Sequence, residues 1–134
     1  MVKNLFFLLA MGLIFFHEYT MAAGKLIDEI SALDRPERFK PHQIDDIVKK
    51  YISEGMTKEK IRQVLASEGL QISEMKAKDL FANCTECDEV AISAGYKFES
   101  LFNIPPADRS LIVEIAFQKG KVTMIKGWYV AHAY

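Results

Sequence analysis

Cys84 and Cys87 are the residues of this chain best suited to do chemistry. The spacing in Cys84-Thr85-Glu86-Cys87 allows three uses: a redox pair, half of a metal site, or a structural bridge. A redox pair needs a thiolate whose pKa is lowered by a helix N-terminus or by nearby cations. The neighbours here are Glu86, Asp88 and Glu89, and Lys78 is the nearest cation in sequence. Carboxylates push a thiol pKa up, so local electrostatics oppose a thiolate. A tetrahedral zinc site needs two further ligands, and His42, read as a solvated residue at the start of a helix, and His132 each stand alone, far from the cysteines. Haem attachment needs a histidine directly after the second cysteine, where Asp88 stands. A disulfide is the leading reading and a thiol–disulfide redox pair the alternative. A bridge over so short a loop stabilises by less than the ~3 kcal/mol expected of a loop of about 15 residues.

Two other groups offer a surface rather than a reaction. Trp128, Tyr129 and Tyr134, with Phe98 and Phe102, are candidates for an exposed aromatic patch, although strand aromatics more often fill a core. Glu86, Asp88 and Glu89 form an acidic knot that suits a cation or a basic partner, or simply a solvated turn. Trp128, Tyr129, Glu86 and Asp88 are the candidate partner-binding residues. Serine and histidine form no nucleophile–base pair, and neither a glycine-rich phosphate loop nor a His-Glu-x-x-His motif occurs. The expectation is a protein that is not an enzyme, with no cofactor and no metal.

The 134 residues are 50% hydrophobic and 26% charged, with 17 basic residues against 18 acidic ones. That mix belongs to a folded globular chain, and near-neutral charge gives no basic face for nucleic acid. Hydrophobicity is densest at the start. Met1-Val2-Lys3-Asn4 is followed by the uncharged run Leu5–Phe16 and then by small residues at Met21-Ala22-Ala23-Gly24, the three regions of a secretory signal peptide. As a helix the apolar run spans only ~18 Å, short of a hydrocarbon core of ~30 Å, so no stable membrane span is expected. Residues 1–22 are therefore read as a cleaved leader, 23–41 as a helix with a linker, and 42–134 as the domain. An exported chain meets an oxidising compartment, which favours the bridge.

Helices come first and strands follow. Leu26, Ile27, Ile30 and Leu33 have helical spacing, and the segment from Asp34 to Pro41 is a proline-bounded linker. Ile44, Ile47, Val48, Tyr51 and Ile52 mark an amphipathic helix, with Asp45 and Asp46 at its favourable end and Gly55 past its last turn. Thr57 caps a second helix over 58–67, which Gly69 closes. A period of two predicts strands over 90–98, 111–117 and 122–130, with a turn over 118–121 and a further strand over 70–75. Gly127 inside the last strand suggests a bulge. Met56, Met75 and Met124 read as core filling. The expected fold is α+β: a two-helix layer packed on a three- to four-stranded antiparallel sheet.

The order of helix, Gly55-Met56-Thr57-Lys58-Glu59-Lys60-Ile61, second helix and Lys-Gly hairpin resembles the small envelope modules of the SmpA/OmlA (BamE) type. It is also similar to the repeat unit of β-lactamase-inhibitor-protein-like folds. Ile61 and Leu65 occupy the apolar positions that such a pattern carries after its Gly-Met-Thr. The chain departs from the pattern in having no acylated cysteine, in Glu68-Gly69-Leu70 where a Gly-Pro is usual, and in the long segment Lys76–Asp108. The resemblance implies a periplasmic or secreted, non-catalytic protein-binding module of inhibitor, immunity or envelope-assembly type. Its partner would be another envelope or secreted protein.

Overall fold

The structure, a computed structural model, describes residues 24–37, 40–98 and 109–131. Residues 1–22, expected as a leader, and Phe102, His132 and Tyr134 lie outside the described residues. The elements run α1 (Lys25–Ser31), β1 (His42–Gln43), α2 (Asp45–Val48), α3 (Lys58–Ser67), β2 (Gln71–Lys76), α4 (Ala77–Leu80), β3 (Val90–Phe98), β4 (Arg109–Gln118) and β5 (Lys121–Ala131). The fold is α+β. One antiparallel sheet carries five strands in the order β1-β5-β4-β3-β2, more than the three or four expected, because the two-residue β1 adds itself to the β5 edge.

The alternation read from the sequence places the core. Register sets Ile92, Ile115 and Ile125 side by side, with Ala94, Val113 and Gly127 in the next row. On this face Ile44 and the buried residues of the helices, among them Val48, Ile61 and Leu65, complete one apolar cluster with the strands. Helix α3 is capped as its sequence predicts: the Thr57 hydroxyl accepts from the Lys60 amide at 3.2 Å. At its other end Gly69 has φ +83°, and the amides of Gly69 and Leu70 donate to the carbonyls of Ala66 and Leu65, which is the glycine-dependent C-terminal motif.

Four expectations are corrected. The helix expected over 44–52 is α-helical only over Asp45–Val48, because the Lys50 and Tyr51 amides bond three residues back rather than four. Its apolar phase survives, with Ile44, Val48 and Ile52 all buried. His42, expected at the start of that helix, instead lies in β1 opposite Tyr129. Gly127 is not a bulge. The irregularity falls at Thr123, since Ala116 pairs with Met124 while Phe117 pairs with Val122. Gly127 is small because α2 lies against it: a Cβ there would stand 2.6 Å from Val48 Cγ2 and 3.2 Å from Ile44 Cγ1. Met75 is 40% exposed rather than core, because it stands on the edge strand β2 on the face away from the main apolar cluster.

The segment 44–58 also closes the outer edge of β5. The Ile44 amide donates to Gly127 O at 2.9 Å, the Val122 amide to Met56 O at 2.8 Å, and the Lys58 amide to Gly120 O at 3.2 Å. Where no carbonyl is supplied, the Asp45 carboxylate accepts from the Gly127 amide at 2.8 Å. An edge that would otherwise offer unpaired donors and acceptors is thereby satisfied.

Helix α1 docks through Leu26 and Ile30, both fully buried, and through the buried Glu68, which accepts from the Leu26 amide at 3.0 Å. Tyr51 Oη donates to Glu29 Oε2 at 2.6 Å, and Lys50 pairs with the other oxygen of Glu29. The bonds from Lys50 and then Tyr51 hold the Glu29 carboxyl below its usual range. The bond to Glu29 pushes the Tyr51 phenol up to about 12. A raised folded pKa means that this contribution to stability is complete below pH 10 and is lost as pH rises through about 12. The lowered Glu29 acts oppositely, stabilising above the ordinary carboxylate range and fading in acid. In a near-ultraviolet absorbance titration a tyrosine should ionise at about pH 12, and Glu29→Gln should return it towards 10. A wild-type titration with no late tyrosine would contradict the pairing.

Candidate functional site

The chain between α4 and β3 folds back over one end of the sheet's second face. Phe81 is buried there with Ala77, Ala91 and Ala116, and Lys126 Nζ stands 4.7 Å from its ring centroid. This placement carries the cysteines. Cys84 and Cys87 stand at disulfide distance, with Cα atoms 5.5 Å apart, and the Cys84 amide donates to Phe81 O at 3.0 Å. Both are half-buried in a bend rather than at the first turn of a helix, so the helix N-terminus that lowers a thiol pKa in redox pairs is not at hand.

The acidic knot is divided by the fold. Asp88 is engaged by the β4–β5 turn: its carboxylate accepts from the Lys119 amide at 3.0 Å and from the Gly120 amide at 2.8 Å. That turn needs help, because Lys119 has φ +52° and Gly120 φ +76°, the two-residue hairpin geometry that glycine tolerates and lysine does not favour. Glu86 is exposed, with Gln118 Nε2 at 3.4 Å. Asp88→Ala should therefore cost about 1 kcal/mol and speed amide exchange at Lys119 and Gly120. Unchanged exchange at those two amides would show that the carboxylate does not hold the turn.

The aromatic pair is divided too. Consecutive strand residues point to opposite faces, and Tyr129 goes inward. It is fully buried, tilted against Phe98 at 5.6 Å between centroids, and its hydroxyl accepts from Arg109 Nη1 at 2.8 Å. The partner-binding expectation for Tyr129 is thus corrected, for its ring is core. Trp128 lies on the second face, paired with Ile112 across β4. Both are half-buried, and neither belongs to the main apolar cluster or packs on it. A groove of about 1,070 Å³ reaches Ile112 but not Trp128, and its walls come from both faces of the sheet, with Gln71, Ser73, Gly95 and Lys97 on this one and Ile72, Tyr96 and Phe98 on the other. Gly95 lines the groove without a side chain. Sequence reasoning did not single out Ile112 or Gly95: the period-two pattern gives each a face of its own strand, and only the register across β3, β4 and β5 sets them beside Trp128.

The structure does not bring the two nominated regions together. Trp128 pairs at Ile112, whereas the cysteine loop meets the sheet near Phe117–Gly120, roughly 20 Å further along β4 at the usual strand rise. Among the described residues no cluster of His, Cys, Asp and Glu is placed to hold a metal. Among them also, no helix is long and apolar enough to cross a membrane. No family model, curated protein or solved structure matches this chain.

Proposed function

We propose that the chain is an exported, non-catalytic protein-binding module, periplasmic or secreted. It would bind another envelope or secreted protein on the second face of its sheet, around Trp128 and Ile112. The observation that carries the reading is this half-buried apolar pair, set apart from the core, with Ile112 lining a groove that Gly95 also lines. The leader-like segment at 1–22 supports export. The arrangement of the Gly55-Met56-Thr57 turn between two helical segments supports kinship with SmpA/OmlA (BamE)-type modules, whose two-helix layer over a sheet belongs to the same proposal. An inhibitor, an immunity factor or an assembly accessory would each use such a surface.

The test is affinity capture from an envelope or culture-supernatant fraction, run beside Trp128→Ala and Gly95→Leu. A Cβ at Gly95 meets only an ordinary 3.6 Å contact with Leu111 O, so Gly95→Leu fills the groove without strain at that atom. Wild type should retain a partner that both variants lose. Export should appear as a mature N-terminus near residue 23. Capture of nothing, or retention of the same partner by both variants, would sink the reading. Titration of the reduced protein tests the redox alternative. A thiol near the ordinary ~8.5 excludes it, and one depressed to ~7 or below would favour it over a non-catalytic role.

A further inference from the structure

The two edges of the sheet are treated differently. The β5 edge is closed by β1 and the segment 44–58, and among the described residues the β2 edge is not. Which groups β2 presents can be deduced from the ladder. The Ala77 amide donates to Glu89 O at 2.8 Å, so Ala77 faces β3, and so do Met75, Ser73 and Gln71 by alternation. Counting the same alternation across β3, β4 and β5 turns Gly127 outward, where its amide and carbonyl do bond outside the sheet. Ile72, Glu74 and Lys76 therefore present their main-chain N–H and C=O groups to the open edge. Among the described residues nothing bonds them there.

The side chains of this edge are complementary to themselves. Arg62 and Lys58 both pair with Oε1 of Glu74, which leaves Oε2 available. Lys76, two residues on and on the same face, is exposed and has no acidic partner among the described residues. Met75 between them points to the other face and is the one exposed large hydrophobic residue of the described chain. An antiparallel partner must set outward residues opposite outward residues. Pairing two copies about Glu74 would oppose like charges. Pairing about Ser73 would set Ile72 against Glu74. Pairing about Met75 sets Glu74 of each copy opposite Lys76 of the other, on both sides of the axis, and brings the exposed methionines together.

We infer that β2 is a self-association edge: two copies of the chain join their sheets antiparallel about a two-fold axis at Met75. Both Glu74–Lys76 couples exchange main-chain hydrogen bonds and place opposite charges across the strands, while the methionines meet in the close, non-hydrogen-bonded position. The inference stands apart from the proposed partner site at Trp128.

Sedimentation of the purified protein over a concentration series, combined with cysteine cross-linking, tests it. The mass should rise from monomer to dimer with concentration. Met75→Cys should give a covalent dimer under mild oxidation, with peptide mapping locating the link between the two copies of position 75. Ser73→Cys should not, being displaced from the axis. Lys76→Glu should weaken association about tenfold, as two attractive cross-strand pairs become repulsive, and Lys60→Glu on α3 should leave it unchanged. All four positions are exposed, so the variants should fold as wild type does. A monomer at every concentration with no Met75→Cys link would overturn the inference. So would cross-linking through Ser73→Cys instead, or a dimer indifferent to Lys76→Glu and broken by Trp128→Ala.

Discussion

Gly127→Val should destabilise the protein by about 3 kcal/mol, and Gly127→Ala by about 2 kcal/mol, in the range for overpacking a fitted core. Strand propensity alone predicts the reverse, since glycine inside a strand costs roughly 0.5–1 kcal/mol relative to alanine and valine is favoured in strands. The geometry decides which effect wins. A methyl at residue 127 would stand 2.6 Å from Val48 Cγ2 and 3.2 Å from Ile44 Cγ1. α2 cannot simply withdraw, because its entry is tied to the same glycine by the Ile44 amide and the Asp45 carboxylate. Urea unfolding reads the cost, and adding Val48→Ala to Gly127→Ala should recover part of it by making room. A Gly127→Ala protein as stable as wild type would mean that α2 does not press on β5.

Phe81→Ala should lose about 3 kcal/mol, the low end for truncating a buried phenylalanine, and most of that loss should be local. Phe81 anchors the α4–cysteine segment on the second face, where Lys126 closes over its ring and donates to Leu80 O at 3.4 Å. It lies outside the main apolar cluster. Amide exchange should therefore rise over 77–89, while the paired centres of β3, β4 and β5 stay protected. Reducing the Cys84–Cys87 pair should do less, since cross-linking so few residues removes little loop entropy. A reduced protein less stable than Phe81→Ala would reverse this order and make the bridge, rather than the ring, the anchor of the segment.

The aromatic pair shows how far local pattern reaches. The alternation over 122–130 is in the sequence, and from it follows that Trp128 and Tyr129 cannot share a face. Which of them turns inward is not local information, for it depends on which face the helices cover. Met75 gives the same lesson in reverse. As an apolar residue in a strand it reads as core, yet at the sheet edge it is left 40% exposed. Asp45 was legible as a favourable charge at a helix start. Its second role, accepting from an amide 82 positions away, was not.

The sequence by itself determined the short-range order. The Thr57 cap, the Gly69 stop, the strand period and the Lys119-Gly120 turn depend on interactions within a few residues, which composition and spacing encode directly. The proximity of Cys84 and Cys87 belongs to the same class. Tertiary structure alone decided which strands stand at the edges and why residue 127 must be glycine. It alone also spent Asp88 on a hairpin and left Trp128 outside the core. Each of these turns on contacts between distant segments, and a one-residue change of register would exchange the two faces of every strand concerned.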